Sequence, residues 1–207
     1  MIRPPWRSGV AFSEEGDGDL RGDSGARDRL SARLGISSSW ATVRQVHGGG
    51  VVVVDAPGDA GTADALWTTM IDLPLAVFTA DCFGVVLQAD GAVGVAHAGW
   101  RGADQAVVAN LRREMSEAGY EPGRGAIGPG IGSCCFEVGP EVVARFRNHT
   151  AETTWGTSSV DLAAVIGDQL EGVATWSVEG CTHHEDRWFS HRRDGTLHRL
   201  ATIGWLP

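Results

Sequence analysis

Two strand-like runs, residues 85–88 (VVLQ) and 93–96 (VGVA), flank the dipeptide Asp90-Gly91. An Asp-Gly pair in that setting predicts a two-residue type I′ hairpin turn, which sets the register of both strands. Ala89 then faces Ala92, and counting back brings Gly84 opposite His97. Cys82, two residues beyond Gly84, falls on the same face as His97 by the period-two rule. Diagonal neighbours of this kind lie roughly 7–8 Å apart at Cα. A thiolate and an imidazole so placed can turn onto one ion, at about 2.3 Å from sulfur and 2.0–2.1 Å from nitrogen. A one-residue change of turn register would put the two on opposite faces.

The rest of the pattern intersperses strands and helices. Residues 40–46, 51–54, 75–80, 173–178, 188–191 and 197–205 read as strands. Ala26, Leu30 and Leu34 sit at helical spacing after a cap at Asp23 or Ser24, and Gly35 stops that helix. Val107, Leu111 and Met115 mark one face of a helix running from Gly102 to Gly119. Further helices are expected at 139–147, with Pro140 near the start, and at 161–171. Residues 13–24 read as an acidic surface loop and 125–132 as a glycine-rich turn region. A hairpin among such elements points to a mixed α/β fold of the α+β kind rather than a purely parallel sheet. At 207 residues the chain fits one catalytic domain, 1–207.

Composition removes several chemistries. All 17 basic residues are Arg, so there is no lysine for a Walker-type phosphate loop, a Schiff base or pyridoxal attachment. Phosphate must be held by Arg, backbone N–H groups or a metal. A net charge of −9 argues against nucleic acid and anionic membranes as partners. No apolar run has the form of a signal peptide or a membrane span. The four cysteines have neither finger spacing nor the look of a disulfide framework. The expectation is a cytoplasmic protein with reduced thiols, monomeric or homodimeric.

His47, at the end of the strand over 40–46 and before three glycines, supplies a third ligand. A His/His/Cys set leaves a fourth position open, as catalytic zinc sites do. Cys181 with His183-His184 forms a second possible cluster, weakened because adjacent strand residues point apart. Cys134 and Cys135 read as packing residues. Gly99-Trp100-Arg101-Gly102 opens a helix whose first N–H groups favour an anion, with Arg101 adding charge and Trp100 offering a stacking face. Arg44 points away from His47 if its strand is regular, and Arg192 with Arg193 offers another anion-binding pair. Asp81, beside Cys82, is placed to shuttle protons or to orient a His ligand, with Glu137 behind it. The deaminase pattern His-x-Glu with Pro-Cys-x-x-Cys is absent.

Taken in order, RQVHG (44–48), ADALWT (63–68), TADC (79–82), HAGWRG (97–102), GPGIGSCCFEVG (128–139), CT (181–182) and FSHRRDG (189–195) are distinctive. Over residues 40–207 they closely resemble the multicopper polyphenol oxidase or laccase-domain family, also read as YfiH-type purine nucleoside phosphorylases. The resemblance implies metal ligands at His47, Cys82 and His97 and a layered α/β/β/α sandwich with mixed sheets. It implies zinc, with copper also reported. The activities implied are phosphorolysis of adenosine, inosine and methylthioadenosine to base and ribose 1-phosphate, and deamination of adenosine. Editing of peptidoglycan precursors, a hydrolase role, is the alternative it carries. The chain departs from the family in a shortened block over residues 10–23, in His191 where Tyr is usual, and at Thr196-Leu197-His198-Arg199.

Rival chemistries follow from the same residues. A blue-copper site would need an axial ligand such as Met70, and a multicopper cluster would need His-x-His pairs that the chain lacks. A metal-free Cys–His hydrolase would use Cys82 as nucleophile, His97 as base and Asp81 as orienter. A nucleotide-binding protein without catalysis would tolerate loss of Cys82.

Overall fold

The computed structural model describes residues 1–6 and 9–207. In chain order the first elements are β1 (Val10–Phe12), α1 (Ser24–Leu34), β2 (Ala41–Arg44), β3 (Val51–Val53), β4 (Gly58–Thr62) and β5 (Ala65–Thr68). Next come β6 (Leu75–Thr79), β7 (Phe83–Ala89), β8 (Ala92–Ala98), α2 (Trp100–Asp104) and α3 (Val107–Glu117). They are followed by β9 (Arg124–Ile127), α4 (Pro140–Val143), β10 (Thr150–Glu152) and β11 (Ser158–Val160). The chain closes with α5 (Leu162–Gln169), β12 (Ala174–Ser177), α6 (His191–Asp194) and β13 (Leu200–Gly204).

Two mixed sheets carry the structure, one ordered β1-β13-β6-β2-β4 and the other β12-β9-β7-β8-β5-β3. Alternation along the strands explains how they stack. On β7, Val85 and Leu87 face one way and Val86 the other; on β8, Ala92 and Ala96 oppose Val93 and Val95. Val86, Val93 and Val95 meet Val10, Phe12, Leu75 and Val77 of the first sheet to form the layer between sheets. The outer face of the second sheet packs on Val107, Leu111 and Met115 of α3 and Val165 and Ile166 of α5. Each such side chain contributes roughly 1.5–3 kcal/mol by leaving water. On the far side, Ala26 and Leu30 of α1 cover Ala76, Phe78 and Ile203 of the first sheet. The layering is therefore α/β/β/α.

The hairpin register is the expected one: Ala89 faces Ala92 and Gly84 faces His97. The turn type differs. Only Gly91 has positive φ, +75°, and Asp90 does not, which is the sign pattern of a type II turn rather than I′. Glycine matters again at Gly84, where a Cβ would overlap Thr202 Oγ1 of the facing sheet. Its absence lets the sheets close beside His97.

Other expectations shift. The helix after His97 is two helices, broken where Ala106 takes φ 56°. The region over 125–132 begins as β9 rather than as a turn. The helix expected over 139–147 spans only Pro140–Val143. Residues 188–191 are not a strand: Trp188 and Phe189 are buried, and Ser190 caps α6 by accepting from Arg193 N at 3.1 Å. Asp23 and Gly35 cap α1 as the pattern requires. No helix among the described residues is long and apolar enough to cross a membrane.

Candidate metal centre

His97 sits near the end of β8, almost wholly buried, with its side chain at the rim of the inter-sheet layer. Cys82 lies at the corner between β6 and β7, one residue outside the strand. Asp81 makes that corner with φ 90°, a conformation L side chains rarely adopt. Three bonds hold it there. Asp81 Oδ1 accepts from the Thr182 hydroxyl at 2.7 Å, and Oδ2 accepts from Arg192 N at 2.7 Å. Its carbonyl accepts from Ile131 N at 2.8 Å. Asp81 thus ties three segments to the corner; it does not bond a His ligand.

His47 arrives by a different device. The Gln45 amide exchanges two 2.8 Å bonds with the backbone of Phe78, prolonging the β2 contact with β6 by side chain alone. The backbone then wraps the buried Asp64 carboxylate, which accepts from Val46 N (3.1 Å), His47 N (2.9 Å) and Gly48 N (2.6 Å). His47 itself takes φ 61° to make this turn. The same carboxylate lies 2.8 Å from His97 Nδ1, and the Asp64 carbonyl accepts from His97 N at 2.7 Å. A carboxylate can only accept, so Nδ1 carries the proton and Nε2 is left for the site. Asp64 therefore orients one His through its ring and the other through its backbone. It stands in the ADALWT block, but no spacing rule singles it out: Asp64 is 17 residues from His47 and 33 from His97.

One donor atom each from His47, Cys82 and His97 lies within 4.8 Å of the others. The two imidazole rings meet edge to face with centroids 4.8 Å apart. Gly99 completes the cradle, since a Cβ there would come within 2.8 Å of Cys82 Sγ and 3.2 Å of the His47 ring. Burial alone would raise the Cys82 thiol, but the His97 charge and hydrogen bonding from both imidazoles pull it down to about 6. Burial would likewise lower His97, yet the Cys82 thiolate and Asp64 push it up to about 9. Asp64 stays below the usual carboxylate range because its bonds to His97 and to the backbone outweigh its burial. A thiolate, two imidazoles and an orienting carboxylate suit a borderline-soft divalent ion.

The trio opens into a cavity of about 340 Å³. Arg21, Arg192, Arg199 and His191 line it, with Phe78, Ile131 and Phe136 as its apolar lining. The residues singled out in sequence divide here. Arg192 lines the cavity, its guanidinium donating to the Glu137 carbonyl at 2.9 Å and lying 5.7 Å over the Phe136 ring. Arg44 does not; it bonds Thr62 on the far side of β2. Arg101 stacks on Trp100 at 4.3 Å, and neither lines the cavity, because α2 is a five-residue turn packed against the sheet. Arg193 donates to the carbonyls of Thr182 (2.9 Å) and Trp188 (3.0 Å) and pairs with Asp194, so it braces the loop. The Glu137 carboxylate accepts from Trp155 Nε1 at 2.8 Å, and Met70 is exposed and outside the cavity lining. Arg21 and Arg199 were not among the expected site residues: Arg21 lies in the stretch read as an acidic surface loop, and Arg199 near the start of the strand expected over 197–205.

Fold and site together define a mixed α/β double-sheet protein with a Cys/His₂ cluster at the rim of its inter-sheet layer. The chain belongs to the family described as multi-copper polyphenol oxidoreductase laccase, whose model matches residues 16–207. It is 38% identical over 205 residues to a purine nucleoside phosphorylase of Streptomyces coelicolor, covering 91% of this chain and 85% of that one. A purine nucleoside phosphorylase of Streptomyces griseus is 35% identical over 220 residues, covering 96% and 89%. The crystal structure of YlmD from Geobacillus stearothermophilus superposes with a TM-score of 0.84 at 28% identity, over 99% of this chain and 94% of that one.

Proposed function

We propose that this chain is a metal-dependent purine nucleoside phosphorylase, with His47, Cys82 and His97 holding the ion, zinc by preference over copper. The observation that carries this reading is the joining of that trio to one cavity lined by three guanidinium groups and two phenyl rings. The trio would hold the ion, which would supply Lewis-acid chemistry there.

Phosphorolysis needs an anion held near C1′ while the purine departs with developing oxocarbenium charge. Arg199 is held below its ordinary range by burial and by Arg21. A phosphate between those two groups would relieve the repulsion. Arg192, fixed through its backbone by Asp81, adds a third donor to the same cavity. Phe78 and Phe136 give the cavity an apolar lining against which a purine can rest. Adenosine, inosine and methylthioadenosine share that purine and ribose, and deamination of adenosine is the second activity of this reading. Asp81, with both oxygens engaged, serves as a positioning residue.

One observation favours a second reading, a Cys–His hydrolase acting on peptidoglycan precursors. Cys82, His97 and Asp64 have the order of nucleophile, base and orienter, with Asp64 in the role assigned by sequence to Asp81. Both readings meet in one experiment. Purified zinc-loaded protein is incubated with adenosine, with and without phosphate, and the products are separated. Phosphate-dependent adenine that vanishes on chelation supports the phosphorylase. Absence of adenine, together with cleavage of a muropeptide that survives chelation, would overturn it in favour of the hydrolase.

A further inference from the structure

Behind the cavity wall lies a second group of thiols and imidazole that the phosphorylase reading does not use. Cys134 and Cys135 stand on the tight turn after β9, and Cys181 and His184 on the loop before α6. One donor atom from each of the four lies within 4.8 Å of the others. Cys134 Sγ is 3.5 Å from Cys135 Sγ and 3.7 Å from His184 Nδ1, and Cys135 Sγ is 3.3 Å from His184 Nε2. Around a tetrahedral zinc, bond lengths require edges of about 3.7–3.8 Å between sulfurs and about 3.5–3.6 Å between sulfur and nitrogen. These three separations lie within a few tenths of an ångström of those edges; closing the set asks one ring nitrogen of His184 to turn to the centre and Cys181, within 4.8 Å of the others, to move in by up to about an ångström.

We propose that Cys134, Cys135, Cys181 and His184 form a second, structural metal site for a thiophilic divalent ion such as zinc.

The surroundings fit a closed site. Gly132 N donates to Cys181 Sγ at 3.1 Å, a bond that favours a thiolate. A Cβ at Gly132 would lie 3.1 Å from Cys134 Sγ and 3.5 Å from Cys181 Sγ, so glycine permits the sulfurs to converge. All four cysteines are free thiols. Without a cation, burial and the neighbouring thiols push Cys135 well above the ordinary thiol range. A divalent ion reverses that penalty. On binding, three thiols release three protons to solvent while three metal–sulfur bonds and one metal–nitrogen bond form; no oxidant is needed.

The site has a mechanical consequence. Its ligands come from two segments that both wall the cavity, one carrying Ile131 and Phe136, the other leading to His191 and Arg192. Thr182 N bonds the Gly130 carbonyl at 3.1 Å, and the Thr182 hydroxyl bonds Asp81. An ion beside that joint clamps the wall without touching substrate.

The test uses Cys82→Ala, which lacks a ligand of the first site. The protein is loaded with zinc or cobalt(II), gel-filtered, and assayed for metal and protein. One retained equivalent is expected, with sulfur-to-cobalt charge-transfer absorption, and the Cys82→Ala/Cys181→Ser double variant should lose both. Because Cys181 is buried and its change can hinder folding, His184→Asn at an exposed side chain is the second variant. It should keep its circular dichroism and bind zinc at least about tenfold more weakly in chelator competition. Three reduced thiols with no retained metal in Cys82→Ala would overturn the proposal. So would a disulfide in their place, or an equivalent that survives both the Cys181 and His184 changes.

Discussion

The trio at the cavity and the quartet behind its wall are built from the same two residue types, yet they treat their thiols oppositely. Cys82 faces two imidazoles and is drawn down to about 6 against its burial, while Cys135 is pushed up by burial and by the thiols beside it. The trio has a buried carboxylate, Asp64, that accepts a hydrogen bond from His97 Nδ1 and shapes the His47 turn. Around the quartet the sulfurs have other thiols, one imidazole and a backbone N–H as partners. Three donors with an orienting carboxylate and a cavity describe a site left open for chemistry, and four donors without either describe a closed one. Burial penalises both thiolates most; the two imidazoles overcome it at Cys82, whereas the neighbouring thiols add to it at Cys135.

The sharpest way to break this comparison is to remove one thiol from each side. Cys82→Ala should lower phosphorolysis by roughly 10³-fold or more, on the scale of losing a principal catalytic interaction, with a modest loss of thermal stability as its ion pair with His97 goes. Cys135→Ser should instead lower the melting temperature of the zinc-loaded protein and leave turnover per folded molecule close to wild type. Equal loss of activity in both variants would erase the distinction between open and closed sites.

Asp64→Asn tests the orienting carboxylate. It keeps shape but removes the charge that four donors share, so metal affinity at the trio should fall by about 10–100-fold, read by chelator competition in a Cys181→Ser background. An unchanged affinity would mean that the carboxylate serves only the His47 turn.

Arg199→Gln should raise the KM for phosphate by roughly tenfold, as expected for one charge-assisted bond, with kcat less affected. Arg193→Gln, which removes a loop brace rather than a cavity group, should act on melting temperature instead. The reverse pattern would reassign the anion site.

The smallest effect is a displacement in pH. In chelated protein the Cys82 pKa is depressed and the His97 pKa raised, so their ion pair persists between about pH 6 and about pH 9. Its stabilisation is lost as pH falls through 6, when the thiolate protonates, and as pH rises through 9, when the imidazolium deprotonates. Iodoacetamide labelling of Cys82, followed by peptide mass, should therefore rise with a midpoint near pH 6. Cys135 should label only at far higher pH. Coincident profiles would show that the two clusters do not differ electrostatically.

Much of this protein follows from local rules in its sequence. The hairpin register needs only a two-residue turn and the alternation of strands, so Gly84 opposite His97 was legible even though the turn is not type I′. The caps of α1 and the buried stripe of α3 are likewise set by neighbours three or four residues apart. Layering was legible only through the ordered motifs, because periodicity says which face is apolar and not what covers it. The tertiary structure decided the rest. Asp64, the gathering of Cys134 and Cys135 with His184 across about fifty residues, and the meeting of Arg21 with Arg199 all depend on sheets and loops closing at a distance. Trp188 and Phe189 read as a strand because they are apolar, but they are buried by packing beneath a loop. The physical reason is range: backbone hydrogen bonds and capping act within a few residues, whereas charge and metal geometry depend on three-dimensional separation, which sequence spacing does not encode.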